Sequence, residues 1–178
     1  MQSSYKRERE RESTMSREDI DLMWKGVCEW TLKAPIEKVW EFIGDFMGIG
    51  NWATTVLESC TLVEGVPQEI GCVRLVSGKP YADENQIPFK IFEKLLELDN
   101  SNHVISYEVT KSNNPIFLGV FPTIQLFHLS DSPSMTRIVF NFKRAASDEF
   151  NQEVFIHTME TLYSVVIQDL RTALDINS

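Results

Sequence analysis

The sequence predicts a single α+β domain. In it, a curved, seven-stranded antiparallel sheet wraps on a long C-terminal helix, with two short helices between the first two strands. Apolar residues alternate with polar ones along the first strand, and six further strand-like segments follow, separated by short turns. The last ~28 residues contain neither Gly nor Pro, which favours one long helix. A length of 178 residues suits one domain.

Residues 1–23 differ in composition from the rest of the chain. Basic and acidic side chains alternate from Lys6 to Glu12 with no apolar partner nearby, and the segment carries 5 basic and 6 acidic residues. Such a segment cannot bury enough apolar surface to fold by itself. We therefore predict a disordered charged leader at 1–23 and one folded domain at 24–178.

The first strand begins at Trp24. Every second residue from there points to one face, and that face is rich in aromatic and apolar side chains: Trp24, Gly26, Cys28, Trp30 and Leu32. Pro35 then suits the first turn of a helix, because its missing N–H is not needed there. Apolar residues recur at helical spacing from Ile36 to Phe46, and residues 47–52 form a helical turn or loop.

Six strands are predicted after the short helices, near 55–64, 70–77, 89–98, 104–110, 118–129 and 136–144. Clusters of Gly, Pro, Asn, Asp and Ser separate them. Parallel pairing requires a crossover of about a dozen residues, so strands joined by turns this short must form an antiparallel meander.

The long helix starts after a capping sequence at Ser147, Asp148 and Glu149, and it is free to run to about Leu174. Its apolar stripe consists of Phe155, Met159, Leu162, Val166, Leu170 and Ala173. A seven-stranded sheet cannot cover its own apolar face, so this helix lies across the concave side and leaves an enclosed space. Spaces lined by aromatic residues with a few polar groups are typical of small-molecule sites.

The residues expected to line this space share apolar character and inward-facing positions. They are Trp30, Trp52, Val76, Phe89, Leu95, Val120, Phe140, Met159, Leu162 and Val166.

Composition excludes several classes of protein. A net charge of −9 argues against nucleic acid as a partner, because phosphate contacts need clustered Lys and Arg. No apolar run reaches the ~18 residues of a membrane span, and the start has no secretory signal. Three cysteines without a Cys/His cluster predict neither disulfides nor a metal site, and no phosphate-binding glycine motif is present. We expect a cytoplasmic protein without a cofactor.

Two charged residues stand out in the predicted strands. Arg74 shares a strand face with Cys72 and Val76. On the next strand Glu93 shares a face with Ile91 and Leu95, and Lys94 shares the other face with Phe92 and Leu96, so either face could be the inner one. If Glu93 faces inward, the two would be expected to pair, because a buried charge is costly without a partner. Such a pair polarises a bound oxygen through Arg74 and exchanges a proton through Glu93.

The order and spacing of several segments resemble a known family. These segments are residues 34–40, 71–74, 92–99, 106–107 and 119–126. Over about 24–174 the chain is similar to the START-like, helix-grip superfamily, and within it to the polyketide cyclase/dehydrase and lipid transport branch that includes the lachrymatory-factor synthases.

The resemblance implies roles for particular residues. It implies that Arg74 and Glu93 are a catalytic pair and that Tyr107 is a pocket tyrosine. The sequence departs from the synthases at Val120, where they have a second pocket tyrosine.

The predicted function is binding of a small hydrophobic or amphipathic molecule in an internal cavity. With an Arg/Glu pair as its catalytic groups, the protein is predicted to be a cofactor-free cyclase, isomerase or dehydratase of secondary metabolism. Two alternatives remain open at this point. In the first alternative, the pair only fixes the sheet, and the protein is a carrier or sensor without turnover. In the second, side chains fill the cavity, and the domain binds other proteins.

Overall fold

A computed structural model describes residues 22–78, 88–129, 132 and 134–175. Its elements, in chain order, are β1 (Met23–Leu32), α1 (Ile36–Ile43), α2 (Ile49–Trp52), β2 (Leu57–Glu64), β3 (Val73–Gly78), β4 (Lys90–Asp99), β5 (Val104–Ser112), β6 (Phe121–His128), β7 (Thr136–Ala145) and α3 (Gln152–Ala173). The predicted α+β fold with two short helices between the first two strands is confirmed.

The seven strands form one antiparallel sheet in the order β1-β7-β6-β5-β4-β3-β2. From β2 to β7 each strand pairs with the next in sequence, as the short turns predicted. The first strand, β1, instead pairs with the last, β7, over its full length from Met23 opposite Ala145 to Leu32 opposite Thr136. Irregular register between Phe92 and Glu93 in β4 marks a bulge, and bulges bend and twist a sheet.

The inner face of β1 is the predicted one. Cys28 and Leu32 are buried, whereas Lys25, Val27, Glu29 and Thr31 at the alternate positions are exposed. The helix α1 follows Pro35 and buries three residues one turn apart, namely Ile36, Val39 and Ile43. In the fold, α1 packs against β6 and α2 against β2.

The beginning of α3 differs from the prediction. The helix starts at Gln152, and its N-cap is Asn151, whose side chain accepts a hydrogen bond from the backbone N–H of Val154 at 2.9 Å. The predicted cap, Ser147, lies outside the helix and accepts only from the N–H of Glu149 at 3.2 Å. Because Asn, Asp and Ser are all strong caps, local sequence does not distinguish the two sites, and the helix begins at the second one.

Residues of α3 cover the concave face of the sheet. Phe155, Met159, Val166 and Leu170 are buried as predicted, Leu162 is half-buried and Ala173 is exposed. The predicted stripe omitted three buried residues, Tyr163, Ile167 and Asp169, of which Tyr163 is buried against β7.

Two predicted strands are shorter than expected because turns occupy their ends. The segment before β3 turns at Gly71, whose φ is +95°. The segment before β6 turns at Gly119, whose φ is +72° and whose N–H donates to the carbonyl of Val109 at 2.9 Å. Positive φ is readily adopted by glycine, so these residues begin the strands later.

Most of the predicted leader, residues 1–21, lies outside the described residues, and Met23 already belongs to β1. Among the described residues, no helix is long and apolar enough to span a membrane.

Candidate functional site

The structure brings Arg74 and Glu93 together on the inner face of the sheet. They are directly opposite each other in the β3–β4 pair, and Arg74 Nε donates to Glu93 Oε2 at 2.6 Å. Arg74 is 3% exposed and Glu93 is 5% exposed, while Lys94 is exposed. The question that the sequence left open is therefore answered: Glu93 faces inward together with Ile91 and Leu95.

Two further contacts fix the arginine. One terminal nitrogen of Arg74 donates a hydrogen bond to the backbone carbonyl of Phe46, and its guanidinium carbon lies 3.8 Å from the centroid of the Phe46 ring. The Tyr107 ring lies on another side, 5.4 Å from the same carbon. An arginine held by a carboxylate, a carbonyl and two rings has little freedom to reorient.

Tyr107 comes from the neighbouring strand β5 and is buried beside the pair. Burial raises the pKa of its phenol well above the ordinary value, and the negative charge of Glu93 raises it further, against an opposing effect of Arg74. The phenol therefore keeps its proton at neutral pH.

An internal cavity of about 70 Å³ lies between the sheet and the helices. Its wall includes Arg74, Glu93 and Tyr107. The predicted lining residues that also belong to its wall are Trp52, Val76, Phe89, Phe140, Leu162 and Val166.

Four predicted lining residues do not line this cavity. Leu95, Val120 and Met159 are buried in the core away from it, and Trp30 is half-buried with its ring against Phe140 at 5.6 Å between centroids. The alternation of a strand assigns a face but not a position along the sheet, so inward-facing residues beyond the cavity were included.

Sequence reasoning missed several residues of the wall. Tyr163 from α3 contacts Phe140 and Phe142, with ring centroids 4.7 and 5.6 Å apart. Burial raises the pKa of the Tyr163 phenol well above its ordinary value, with smaller effects of Tyr107 and Glu93 in the same direction. Phe46 was placed on the first helix by its spacing, yet its position over Arg74 had no sequence signal.

A second, open groove of about 420 Å³ lies outside the cavity, between the short helices and the end of α3. It is mostly polar, and it shares Phe42, Asp45 and Trp52 with the cavity wall. Its buried carboxylate, Asp169, is fully engaged, since it accepts from the N–H of Thr55 at 2.7 Å and from the Thr55 hydroxyl at 2.6 Å. The groove is larger, but the inner cavity is the candidate site because it holds the paired charges.

A sheet that grips a C-terminal helix around an internal cavity defines the helix-grip class of proteins. Residues 23–175 match the family described as polyketide cyclase/dehydrase and lipid transport, and the chain belongs to that family. The superfamily expected from the sequence is thereby confirmed, and membership supports binding of a hydrophobic ligand.

Solved structures show the same fold at low sequence identity. The ginseng major latex-like protein 151 from Panax ginseng is 12% identical with a TM-score of 0.70, over 85% of this chain and 97% of that one. A protein from Nitrosospira multiformis is 20% identical with a TM-score of 0.67, over 86% and 97%. The protein XoxI from Bacillus cereus is 20% identical with a TM-score of 0.68, over 84% and 94%.

Proposed function

We propose that this protein binds a small hydrophobic or amphipathic molecule in the inner cavity and converts it without a cofactor, as a cyclase, isomerase or dehydratase of secondary metabolism. The observation that carries the proposal is the pair of Arg74 and Glu93, 2.6 Å apart on the wall of an otherwise largely apolar cavity. Paired ionisable groups in such a cavity are candidates for proton transfer.

In the proposed chemistry Glu93 first accepts a proton from the ligand and later returns it. The Glu93 carboxylate removes a proton from a carbon next to a carbonyl group of the ligand. The electron pair of the broken C–H bond moves onto the carbonyl oxygen, where the Arg74 guanidinium stabilises the negative charge. Glu93 then returns the proton to a different atom of the ligand. Return to another carbon completes an isomerisation. Return to a leaving hydroxyl releases water, as the electron pair moves back from the oxygen to form a carbon–carbon double bond, and completes a dehydration. In a ring closure the deprotonated carbon instead bonds to a second carbonyl carbon of the ligand, and Glu93 gives the proton to the oxygen of that carbonyl.

Tyr107 supports this arrangement as a neutral hydrogen-bond donor. Its raised pKa keeps the phenol protonated beside the pair, so it adds no negative charge next to Glu93. We propose that it orients the ligand oxygen towards Arg74.

The first experiment identifies the ligand and then follows its fate. Native mass spectrometry of the full chain purified from its own source gives the bound molecule, which is then incubated with the protein in deuterated water. We expect deuterium incorporation, isomerisation or loss of water with the wild-type chain and at least a 100-fold slower reaction with Glu93→Gln. The amide oxygen of glutamine still accepts from Arg74, so the variant is expected to remain folded.

The matched control is Glu108→Gln. Glu108 lies on the neighbouring strand β5, directly opposite the exposed Lys94, so it belongs to the outer face of the sheet. This variant should react at the wild-type rate. Full turnover in Glu93→Gln would remove the catalytic assignment.

A carrier or sensor without turnover is the second candidate. It is favoured by the hydrogen bonds that already engage Arg74, because a guanidinium held by Glu93 and by the Phe46 carbonyl also suits a purely structural pair. In that case the bound molecule is recovered unchanged from deuterated water, and Glu93→Gln binds it as the wild-type chain does.

The proposed location is the cytoplasm. The support for it is that Cys28, Cys60 and Cys72 are all free thiols, as is usual in a reducing compartment. Fluorescence microscopy of the tagged full chain tests this location.

A further inference from the structure

Two polar atoms at the cavity wall lack a hydrogen-bond partner among the described residues. They are the hydroxyl of Tyr163 and the indole Nε1 of Trp52. Tyr163 is 4% exposed and Trp52 is 9% exposed, so neither side chain is open to bulk water. Both belong to the cavity wall.

Buried polar side chains elsewhere in the described chain have partners. The Thr136 hydroxyl donates to the Ala34 carbonyl at 2.7 Å, and Arg144 donates to the carbonyls of Pro115 and Ile116 at 2.8 and 2.9 Å. Even the half-buried indole of Trp40 donates to the side chain of Asn100 at 2.9 Å. Because buried donors are normally paired, two unpaired ones at a single cavity indicate groups that a ligand completes.

The charges of the cavity wall limit the class of ligand. Arg74 and Glu93 neutralise each other, and a charged molecule would bring an uncompensated charge into the apolar space around them. The Asp45 carboxylate at the rim already accepts from the backbone N–H groups of Met47 and Gly48, at 3.2 and 3.0 Å. The cavity is therefore suited to an uncharged molecule.

The two unpaired donors lie on the helical side of the cavity. Trp52 ends α2 with its ring edge against Phe42, 6.3 Å between centroids, and Tyr163 lies in the middle of α3. The ion pair lies on the sheet, on β3 and β4. An indole N–H only donates, whereas a phenol hydroxyl donates or accepts, so an acceptor oxygen suits either group.

We infer that the ligand is an uncharged molecule that carries a carbonyl-type acceptor oxygen facing Tyr163 and Trp52. This inference rests on the proposed binding of a ligand in the cavity. It adds donors from the helical side to a site whose charged pair lies on the sheet.

The test compares three small probes of similar size by NMR titration of the isotope-labelled full chain. Acetophenone has a carbonyl, cumene is of similar size with a methyl group in place of the carbonyl oxygen, and benzoate carries a charge. We expect acetophenone to bind about threefold to tenfold more tightly than cumene, as one net hydrogen bond gives, and benzoate to bind most weakly. The shifted resonances should belong to residues of the cavity wall.

Variants assign the preference to the two donors. Tyr163→Phe and Trp52→Phe should each reduce the preference for acetophenone over cumene, and the double variant should abolish it. Trp30→Phe is the matched control, because Trp30 is a half-buried tryptophan outside the cavity wall, and it should keep the full preference.

The outcomes separate this inference from the proposed function. Equal binding of acetophenone and cumene, tightest binding of benzoate, or a preference that survives in the double variant would overturn the inference while leaving ligand binding intact. Binding of none of the three probes would count against the ligand cavity itself and would remove the inference with it.

Discussion

At the scale of single residues, the pair of Arg74 and Glu93 dominates the interior. Both are almost completely buried, and each is the charge partner of the other. Removing two charges from water costs several kcal/mol for each, and their attraction offsets this cost only in good geometry. A buried pair is therefore weak support for stability.

The energetic dependence of each member of the pair on the other can be measured by a double-mutant comparison. Arg74→Leu leaves the Glu93 carboxylate buried without its partner, so we expect a loss of about 3–5 kcal/mol in the free energy of unfolding. Arg74→Leu combined with Glu93→Leu removes both charges and should be at least ~2 kcal/mol more stable than the single variant. Urea denaturation of the wild type, Arg74→Leu, Glu93→Leu and the double variant measures these values, and a loss in the double variant equal to the sum of the two single losses would mean that the two charges are not coupled.

The orientation of Glu93 also shows where sequence reasoning reached its limit. On β1 the polar and apolar residues alternate, so the inner face was predictable. On β4 each face carries one charged residue between apolar ones, Glu93 between Ile91 and Leu95 and Lys94 between Phe92 and Leu96, so alternation alone assigns no inner face. Only the cross-strand position of Glu93 opposite Arg74 decides it, and register depends on turns and bulges that pattern does not specify.

At the scale of elements, α3 was predicted in existence and in most of its buried face, but not in its start or in three of its buried residues, Tyr163, Ile167 and Asp169. Leu162 and Tyr163 both line the cavity wall, and only Tyr163 is fully buried. The rings of Phe140 and Phe142 on β7 contact Tyr163, and helical spacing alone does not predict this packing. The chain also offers two capping sequences in succession, and local propensity does not choose between them.

The cap of α3 gives a prediction with a built-in control. Asn151→Ala should lower the free energy of unfolding by about 1 kcal/mol, because the side chain no longer accepts from the N–H of Val154. Ser147→Ala should change it by less than ~0.5 kcal/mol, since Ser147 lies before the helix. Thermal or urea unfolding of both variants measures the difference, and equal losses would argue against Asn151 as the cap.

At the scale of the whole molecule, the interior is largely filled by side chains. The cavity volume of about 70 Å³ is well below the roughly 300–1,000 Å³ of ordinary ligand sites. A ligand larger than a few atoms therefore requires wall residues to move, and Phe42 and Trp52 line both the cavity and the outer groove. Six of the ten predicted lining residues belong to the cavity wall, but alternation did not predict the other wall residues, and the cavity volume depends on how the rings pack.

The stability of the whole molecule should fall in alkaline solution. The pKa values of Tyr107 and Tyr163 are raised in the folded protein, mainly by burial, whereas an exposed tyrosine ionises near pH 10. Above about pH 10 the unfolded chain loses these protons while the folded chain keeps them. The free energy of unfolding then decreases by about 1.4 kcal/mol per pH unit for each buried phenol, and below pH 10 this contribution is fully present.

Urea denaturation at about pH 8, 10.5 and 11.5 measures this slope, and Tyr163→Phe isolates one phenol because it removes the ionisable group and keeps the ring. In the variant, the decrease of the free energy of unfolding with pH should be smaller by about 1.4 kcal/mol per pH unit, the contribution of one buried phenol. Identical slopes for the two proteins would mean that Tyr163 ionises as readily in the folded state as in the unfolded one.

The pairing of β1 with β7 has a consequence for how the protein is made. Glu29 and Arg137, which form an ion pair across these two strands, are 108 positions apart in the chain. A ribosome releases β1 long before its partner, so the inward aromatic face of β1 must wait for most of the domain to be synthesised. Contacts of such long range slow folding. While β1 is unpaired, its aromatic face is exposed on the nascent chain, and this is the stage at which we expect the domain to need a chaperone most.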